Sequence, residues 1–409
     1  MYIFHASHPL EPSTNSKKML STLTLLTIFA TAQGASLLPR GMTCRDVLIP
    51  TVVNTSNDYI DPTINSQAKA RSWMQKVDSH RINSTEEVDI NDKFNIAARY
   101  CEPEVINPSR ANTIQLLVHG ITYTKNYWSG LGPPGEGYNG DSYSWIAYAS
   151  KQGYPTLSID RLGNGDSDRP DGIAAVQMSS HVEVAESLVN TLKNSTVAGR
   201  RFEKVIYVGH SYGSLIGNLH SVHYPDSVDS YILTGFSKNI RASLTPTLIT
   251  GDFRPARMAY PEKWGGQTLS YFAASSESGA DGLFFTDETV DPNLKALNFR
   301  QRGTVTVGEF VSGYESIQVA TNYHGHVFVL TGKNDAIFCS PDDFGQGTLS
   351  GRGDCGTGED SIIAKTRELY PAAADYSYST PENTGHCNIL HLNAQDQFAT
   401  VHNWLARFY

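Results

Sequence analysis

A serine hydroxyl, a histidine and a carboxylate can together split an ester, provided the fold gathers them from distant points of the chain. The serine candidate is Ser211, in Gly209-His210-Ser211-Tyr212-Gly213. Val205 to Val208 before it is a β-branched and aromatic apolar run that reads as a strand buried in a parallel sheet. Tyr212 to His223 continues at helical spacing and stops at Pro225, so Ser211 falls on a strand-to-helix junction. A serine lifted out of a sheet on so sharp a turn needs small residues two before and two after it, where strand and helix approach. The helix behind it aims free N–H groups and its dipole at the place where a tetrahedral oxyanion forms. G-x-S-x-G also occurs by chance; the strand before and the helix after make this one informative.

The partners must come from downstream. Val327 to Leu330 reads as a buried strand, and the chain continues Thr-Gly-Lys-Asn to Asp335, just past the C-terminal edge where ligands of open α/β sheets gather. Asp342 and Asp343 read instead as solvated loop carboxylates. For the base, His386 in Thr384-Gly385-His386-Cys387 follows a strand-like Tyr376 to Ser379 and precedes the last helix, so it faces the same sheet edge. His391 and His402 fall inside that helix and read as surface or packing residues, with His391 the alternative base.

Other elements must hold these groups in place. Val47 to Val53 and Phe94 to Tyr100 are expected to pair antiparallel around a helix whose start is marked by Asp61-Pro62, which brings Cys44 beside Cys101 for a disulfide. Ile114 to Val118, Thr156 to Ile159 and Tyr231 to Leu233 are further buried strands, with helical patterns between most of them. Ser180 with Glu183 marks a capping box ahead of Val182, Ala185, Val189 and Leu192, and Phe398, Val401, Leu405 and Phe408 share one face of the last helix. The pattern predicts a mostly parallel sheet flanked by helices. From residue 237 to 321 the alternation stops for too long to be a connection, and the aromatic content there, with Trp264, Tyr271 and Phe285, predicts a folded cap inserted after the sixth strand. The core is then 35–236 with 322–409. Trp264, Tyr271 and Phe285 are candidates for lining a substrate pocket, or for the cap's own core.

The 409 residues are 40% hydrophobic, enough for a large core, and a formal net charge of -9 speaks against a nucleic-acid partner. Lys17-Lys18 precedes an apolar run from Leu20 to Ala32, with small residues at Ala32, Gly34 and Ala35. This is the pattern of a secretory signal over 1–34, with Met19 a possible start, and the run is too short to span a membrane. Sequons at Asn54, Asn83 and Asn194 and five cysteines agree with export to an oxidising compartment. Besides Cys44 with Cys101, a bridge is expected from Cys339 to Cys355, closing a loop directly after Asp335; Cys339 with Cys387 is the alternative. No cysteine has zinc-ligand spacing, and neither a metal nor a cofactor is implied. Arg352-Gly353-Asp354 matches an adhesion tripeptide by chance.

The order Ser211, Asp335, His386 is that of the α/β-hydrolases, and the sequence resembles that superfamily over nearly all of the chain beyond the leader. His119-Gly120-Ile121 stands where the family has its oxyanion loop after the third strand, and the resemblance implies an oxyanion hole from the backbone N–H groups of Ile121 and Tyr212, with His119 near the pocket. Asp160-Arg161-Leu162-Gly163-Asn164-Gly165-Asp166-Ser167 resembles the family's D-x-x-G-x-G turn after the fourth strand and is taken as structural, having no phosphate-binding lysine. Tyr212 is bulkier than residues often found beside the nucleophile. The closest resemblance is to secreted, capped serine esterases and lipases of fungal type. It implies an extracellular hydrolase acting on a small, apolar carboxylic ester through an acyl-enzyme. The same triad also suits amides, thioesters, lactones or acyl transfer, and a binding module without activity would share the fold. Serine at the elbow argues against epoxide hydrolases and dehalogenases, whose pattern has aspartate there.

Overall fold

Two sixteen-residue strands, β1 (Thr43–Asp58) and β2 (Glu87–Glu102), pair antiparallel along their whole length in the computed structural model. The structure describes residues 41–79, 86–197, 199–286, 289–340 and 345–409. The expected leader over 1–34, the start at Met19, the Asn83 sequon and the Asp342-Asp343 loop lie outside these. The chain continues through β3 (Thr113–Val118), β4 (Thr156–Ile159), β5 (Lys204–His210) and β6 (Ser230–Thr234). Then come β7 (Phe253–Pro255), β8 (Tyr271–Ala274), β9 (Val305–Thr306), β10 (His326–Leu330) and β11 (Asp375–Ser379).

Among the described residues eight strands form one sheet in the order β1-β2-β4-β3-β5-β6-β10-β11. From β4 to β11 every neighbouring pair is parallel, and only the hairpin side runs against it. Every residue of β3, β4 and β6 is buried, as expected of a parallel sheet covered by helices on both faces. The helix Met178–Asn194 packs on β1 and on the helix Tyr212–His223, burying Val182, Ala185, Val189 and Leu192 as the spacing predicts. Cys44 stands directly opposite Cys101 in the hairpin register, and the two are bonded.

Several boundaries differ from the sequence reading, each for a local reason. The first helix runs Gln67–Asp78 and is capped by Ser66; Asp61 instead accepts a hydrogen bond from the Thr63 N–H at 2.8 Å, which makes a turn and not a helix start. Ser180 lies inside its helix, which starts at Met178, and its hydroxyl accepts from Asn57 at 2.9 Å, while Glu183 takes the Tyr224 hydroxyl. A true capping box occurs at Thr306 and Glu309, opening the helix Val307–Ser312. The last helix is Ala394–Leu405, so Phe408 lies beyond it, stacked on His326 with ring centres 3.8 Å apart. His391 lies before that helix, and both His391 and His402 are buried. Asn54 is in β1 and Asn194 ends the helix Met178–Asn194, so neither lies between elements, yet both are exposed.

Between β6 and β10 the chain builds a three-stranded antiparallel sheet, β7-β8-β9, and short helices, all within the same compact unit as the large sheet. Among the described residues no helix is long and apolar enough to cross a membrane.

Past β10 the second disulfide joins Cys339 to Cys355, and Cys387 is buried without one. The bridge closes a separation of 16 residues, and within that loop Gly353 lies so close to Asp335 that a Cβ on it would meet the Asp335 carbonyl at 1.9 Å. Arg352-Gly353-Asp354 is therefore a packing element beneath the acid loop. Replacing Cys339 and Cys355 together by serine should cost about 3 kcal/mol of unfolding free energy by loop entropy. Urea titration checks it, with an unchanged midpoint counting against a stapling role for this bridge.

Candidate active site

Ser211 follows β5, Asp335 follows β10 and His386 follows β11, so three parallel strands bring them to the same C-terminal edge of the sheet. Ser211 has φ 54° and ψ -118°, a conformation a non-glycine residue adopts only where its surroundings impose it. Its N–H is held by the Thr234 carbonyl at 2.9 Å. The flanking glycines are required by close approach: a Cβ on Gly213 would lie 2.1 Å from the Val118 carbonyl, and one on Gly209 would lie 2.6 Å from the Gly213 carbonyl. The helix Tyr212–His223 starts immediately after the serine, as the elbow demands.

Asp335 and His386 are fully enclosed, and Asp335 Oδ2 lies 2.8 Å from His386 Nδ1. Asp335 Oδ1 already accepts from the N–H groups of Ile337 and Phe338, at 2.8 and 2.9 Å. The carboxylate is thus fixed in orientation before it meets the imidazole, and its Oδ2 accepts the Nδ1 proton. Nε2 of His386 is left as the lone-pair nitrogen, the tautomer a general base needs. Phe338 stacks on the imidazole at 5.7 Å and Phe284 at 6.0 Å, limiting its rotation. His210 lies 5.0 Å from the same ring; burial first, then the neighbouring His386 and His119, hold His210 well below its ordinary pKa. His391 does not meet Asp335: its Nε2 accepts from the Gly385 N–H at 2.9 Å and its Nδ1 meets the Cys387 carbonyl at 3.0 Å. It braces the loop that carries His386. The Cys387 thiol, raised by burial, contacts the Tyr123 hydroxyl at 2.8 Å.

Opposite the elbow, Gly120 approaches so closely that a Cβ there would sit 2.8 Å from Ser211 Cβ. Among the described residues neither the Ile121 nor the Tyr212 backbone N–H has a hydrogen-bond partner within the protein, and both residues border the cavity that Ser211 opens into. That cavity, about 30 Å³, has mainly apolar walls from Leu215, Ile240, Leu244, Phe310, Ile337 and Phe338. Ile240, Leu244, Thr247, Val305, Glu309 and Phe310 come from the 237–321 segment, so that segment supplies one of its walls.

Four residues expected at the pocket lie elsewhere. Trp264 packs with Ala256, Ala273 and Tyr260 in a small core of its own. The Tyr271 hydroxyl donates to the Pro170 carbonyl at 2.8 Å, and its ring lies over Gly163. Phe285 packs on His391 with ring centres 5.7 Å apart. His119 is buried in the loop after β3, bonded to Gly120 and Arg161. Of the aromatic residues in the 237–321 segment, Phe310 rather than the three expected ones borders the Ser211 cavity, alongside aliphatic Ile240 and Leu244.

Two charged residues at the site went unnoticed in the sequence. Arg161, in the Gly-rich turn after β4, forms a fully buried ion pair with Glu309 of the capping box. Burial alone would raise the Glu309 pKa, but the Arg161 charge and the His181 hydrogen bond bring it down to about 2. The T-x-x-E signal at Thr306 marks a helix start in the sequence, but nothing local links it to Arg161. The rest of that turn is structural, as expected: Asp160 accepts from the Lys125 ammonium at 2.6 Å, and a Cβ on Gly165 would overlap the Asp160 carboxylate at 2.1 Å.

Residues 116–284 match the family profile described as alpha/beta hydrolase fold. The chain has the alpha/beta hydrolase fold. No curated protein sequence matches it. Among solved structures it is similar to a thermophilic esterase from Thermogutta terrifontis, at 14% identity and TM-score 0.47, covering 77% of this chain and 94% of that one. An esterase from Rhodococcus sp. ECU1013 is similar at 15% identity and TM-score 0.45, covering 76% and 95%. An epoxide hydrolase from Vigna radiata is similar at 14% identity and TM-score 0.45, covering 77% and 95%.

Within this alpha/beta hydrolase fold, Gly120→Ala should push directly on Ser211, the candidate nucleophile. Activity should fall on the order of tenfold or more, because a small displacement of a reacting group is costly. Steady-state kinetics beside a melting curve test this, and an alanine variant with wild-type kcat would show that the loop has room to move.

Proposed function

We propose that this protein is an extracellular serine hydrolase that cleaves carboxylic esters through an acyl-enzyme. The observation that carries the reading is the Asp335–His386 hydrogen bond of 2.8 Å at the sheet edge where Ser211 sits on its strained turn above an apolar cavity. Ser211 Oγ attacks the ester carbonyl carbon as His386 Nε2 takes its proton, and the resulting oxyanion is received by the N–H groups of Ile121 and Tyr212. The proton passes to the departing alkoxide, and the alcohol leaves. Water then attacks the acyl-enzyme with His386 again as base, and the acid is released as Ser211 regains its proton. Asp335 holds the imidazole in the required tautomer and stabilises the imidazolium.

The size of the cavity points to a short acyl group. With about 30 Å³ free for the centre of a water-sized group, the cavity is narrow, which favours a short, slender chain. The 237–321 segment acts as a cap in this reading, since it supplies the wall that limits chain length. Export is supported by the leader-like run before Ala35 and by two disulfides.

Ser211→Ala should abolish both turnover and labelling by an alkyl phosphonate while the melting temperature stays near that of the wild type, and Asp335→Asn should lower kcat by about a thousandfold or more with a smaller change in KM. Persistent turnover in Ser211→Ala would end the serine-hydrolase reading. Across p-nitrophenyl esters, kcat/KM should peak at about two to four acyl carbons and drop at least roughly tenfold by about eight, the steric penalty of a narrow pocket. A profile that rises with chain length would refute the short-acyl assignment alone.

A further inference from the structure

We propose that Arg161, held by Glu309 and acting with His119, is a positioning residue for the oxyanion hole through the Gly120–Ile121 peptide; the inference rests on the serine-hydrolase reading above. The peptide unit is planar, so its C=O and N–H point in opposite directions, and whatever fixes the Gly120 oxygen fixes the direction of the Ile121 N–H. Two donors hold that oxygen. His119 Nδ1 is 2.7 Å from it and Arg161 Nη2 is 3.3 Å from it. The Arg161 backbone N–H donates to His119 Nε2 at 3.1 Å, which leaves the proton of the neutral ring on Nδ1, facing Gly120. Arg161 thus acts twice on one carbonyl, once through its guanidinium and once by setting the tautomer of His119.

The same guanidinium reaches the other half of the hole. Its Cζ lies 4.9 Å from the centre of the Tyr212 ring, so one cation touches both the Gly120 carbonyl, whose peptide carries the Ile121 N–H, and Tyr212. That cation is immobilised from the inserted segment. Arg161 Nη1 bonds Glu309 Oε1, which also meets His181 Nε2 at 3.1 Å, while Glu309 Oε2 accepts from the Thr306 N–H at 2.7 Å. Glu309 itself borders the cavity at Ser211. A guanidinium donating to the carbonyl oxygen also polarises the peptide, which makes its N–H a better donor to developing negative charge.

The test separates positioning from folding. Arg161→Met with Glu309→Met removes both buried charges together and keeps apolar volume, and Arg161→Lys keeps a cation that lacks the planar fork needed to reach Glu309 and Gly120 at once. Each variant is measured for melting temperature, for kcat and KM on p-nitrophenyl acetate, and for inhibition by an aryl trifluoromethyl ketone, whose hemiketal oxygen occupies the oxyanion position. Losing one oxyanion donor outright costs about a hundredfold to a thousandfold, so misaligning it should lower kcat and weaken the ketone by a common factor of roughly tenfold to a hundredfold, with KM within about twofold. A folded variant that keeps wild-type kcat and ketone affinity overturns the proposal, as does one whose kcat falls while the ketone binds unchanged. If the double variant does not fold, Arg161→Lys is judged by the same criteria. Phosphonate labelling of wild-type Ser211 is run alongside: labelling intact with unaffected Arg161 variants defeats only the clamp, whereas turnover surviving in Ser211→Ala defeats the hydrolase reading itself.

Discussion

The site depends on one strained residue. Ser211 stands in a left-handed conformation between β5 and the helix that follows, and conformations of this kind cost of order 1–3 kcal/mol each unless the surroundings over-determine them. Here they do. The Ser211 N–H is tied to Thr234, Gly209 and Gly213 let helix and strand close to contact distance, and Gly120 presses against the serine from the loop after β3. Once the elbow is set, the parallel order β5-β6-β10-β11 determines which loops can meet it, and Asp335 and His386 are on two of them. The gathering of Ser211, Asp335 and His386 at one edge is a consequence of sheet order, because the three are separated by long stretches of chain that the sheet brings together.

What could be read from the sequence was what short-range physics encodes. The β-branched run Val205–Val208, the glycines two residues either side of Ser211 and the turn after Leu330 each carry a local signal, and the strands agree with the expected ones at their cores. The Cys44–Cys101 pairing was legible because two adjacent antiparallel strands leave one geometric solution, and Cys339–Cys355 because the loop was short. Helix starts were less legible. Asp61 and Ser180 are both good capping residues by type, yet one closes a turn and the other bonds Asn57 across 123 positions, a tertiary contact no local pattern announces. The pocket was least legible of all. Which of the aromatic side chains in 237–321 reach the serine depends on how β7-β8-β9 and its helices fold on themselves, and Trp264 turned out to be needed for that interior.

Arg161 and Glu309 show why composition and motif reading miss positioning residues. Each looks ordinary in the sequence: one sits in a glycine-rich turn, the other at the third position of a helix start. Their meaning comes from a contact across 148 positions. As a contribution to stability the pair is a poor choice, because desolvating each ion costs several kcal/mol and an apolar pair of similar volume is often as stable or more so. The energetic argument therefore directs attention to what apolar side chains in those places would fail to do. They would fill the space between the turn after β4 and the helix Val307–Ser312, but they would donate nothing to the Gly120 carbonyl and would not set the tautomer of His119. With its charge shared among Arg161, His181 and the Thr306 N–H, Glu309 can stand at the wall of an apolar cavity without leaving an uncompensated charge there. On the serine-hydrolase reading, the cost of burying the two ions is concentrated at the point where charge would develop, which is where a fixed dipole has its largest effect.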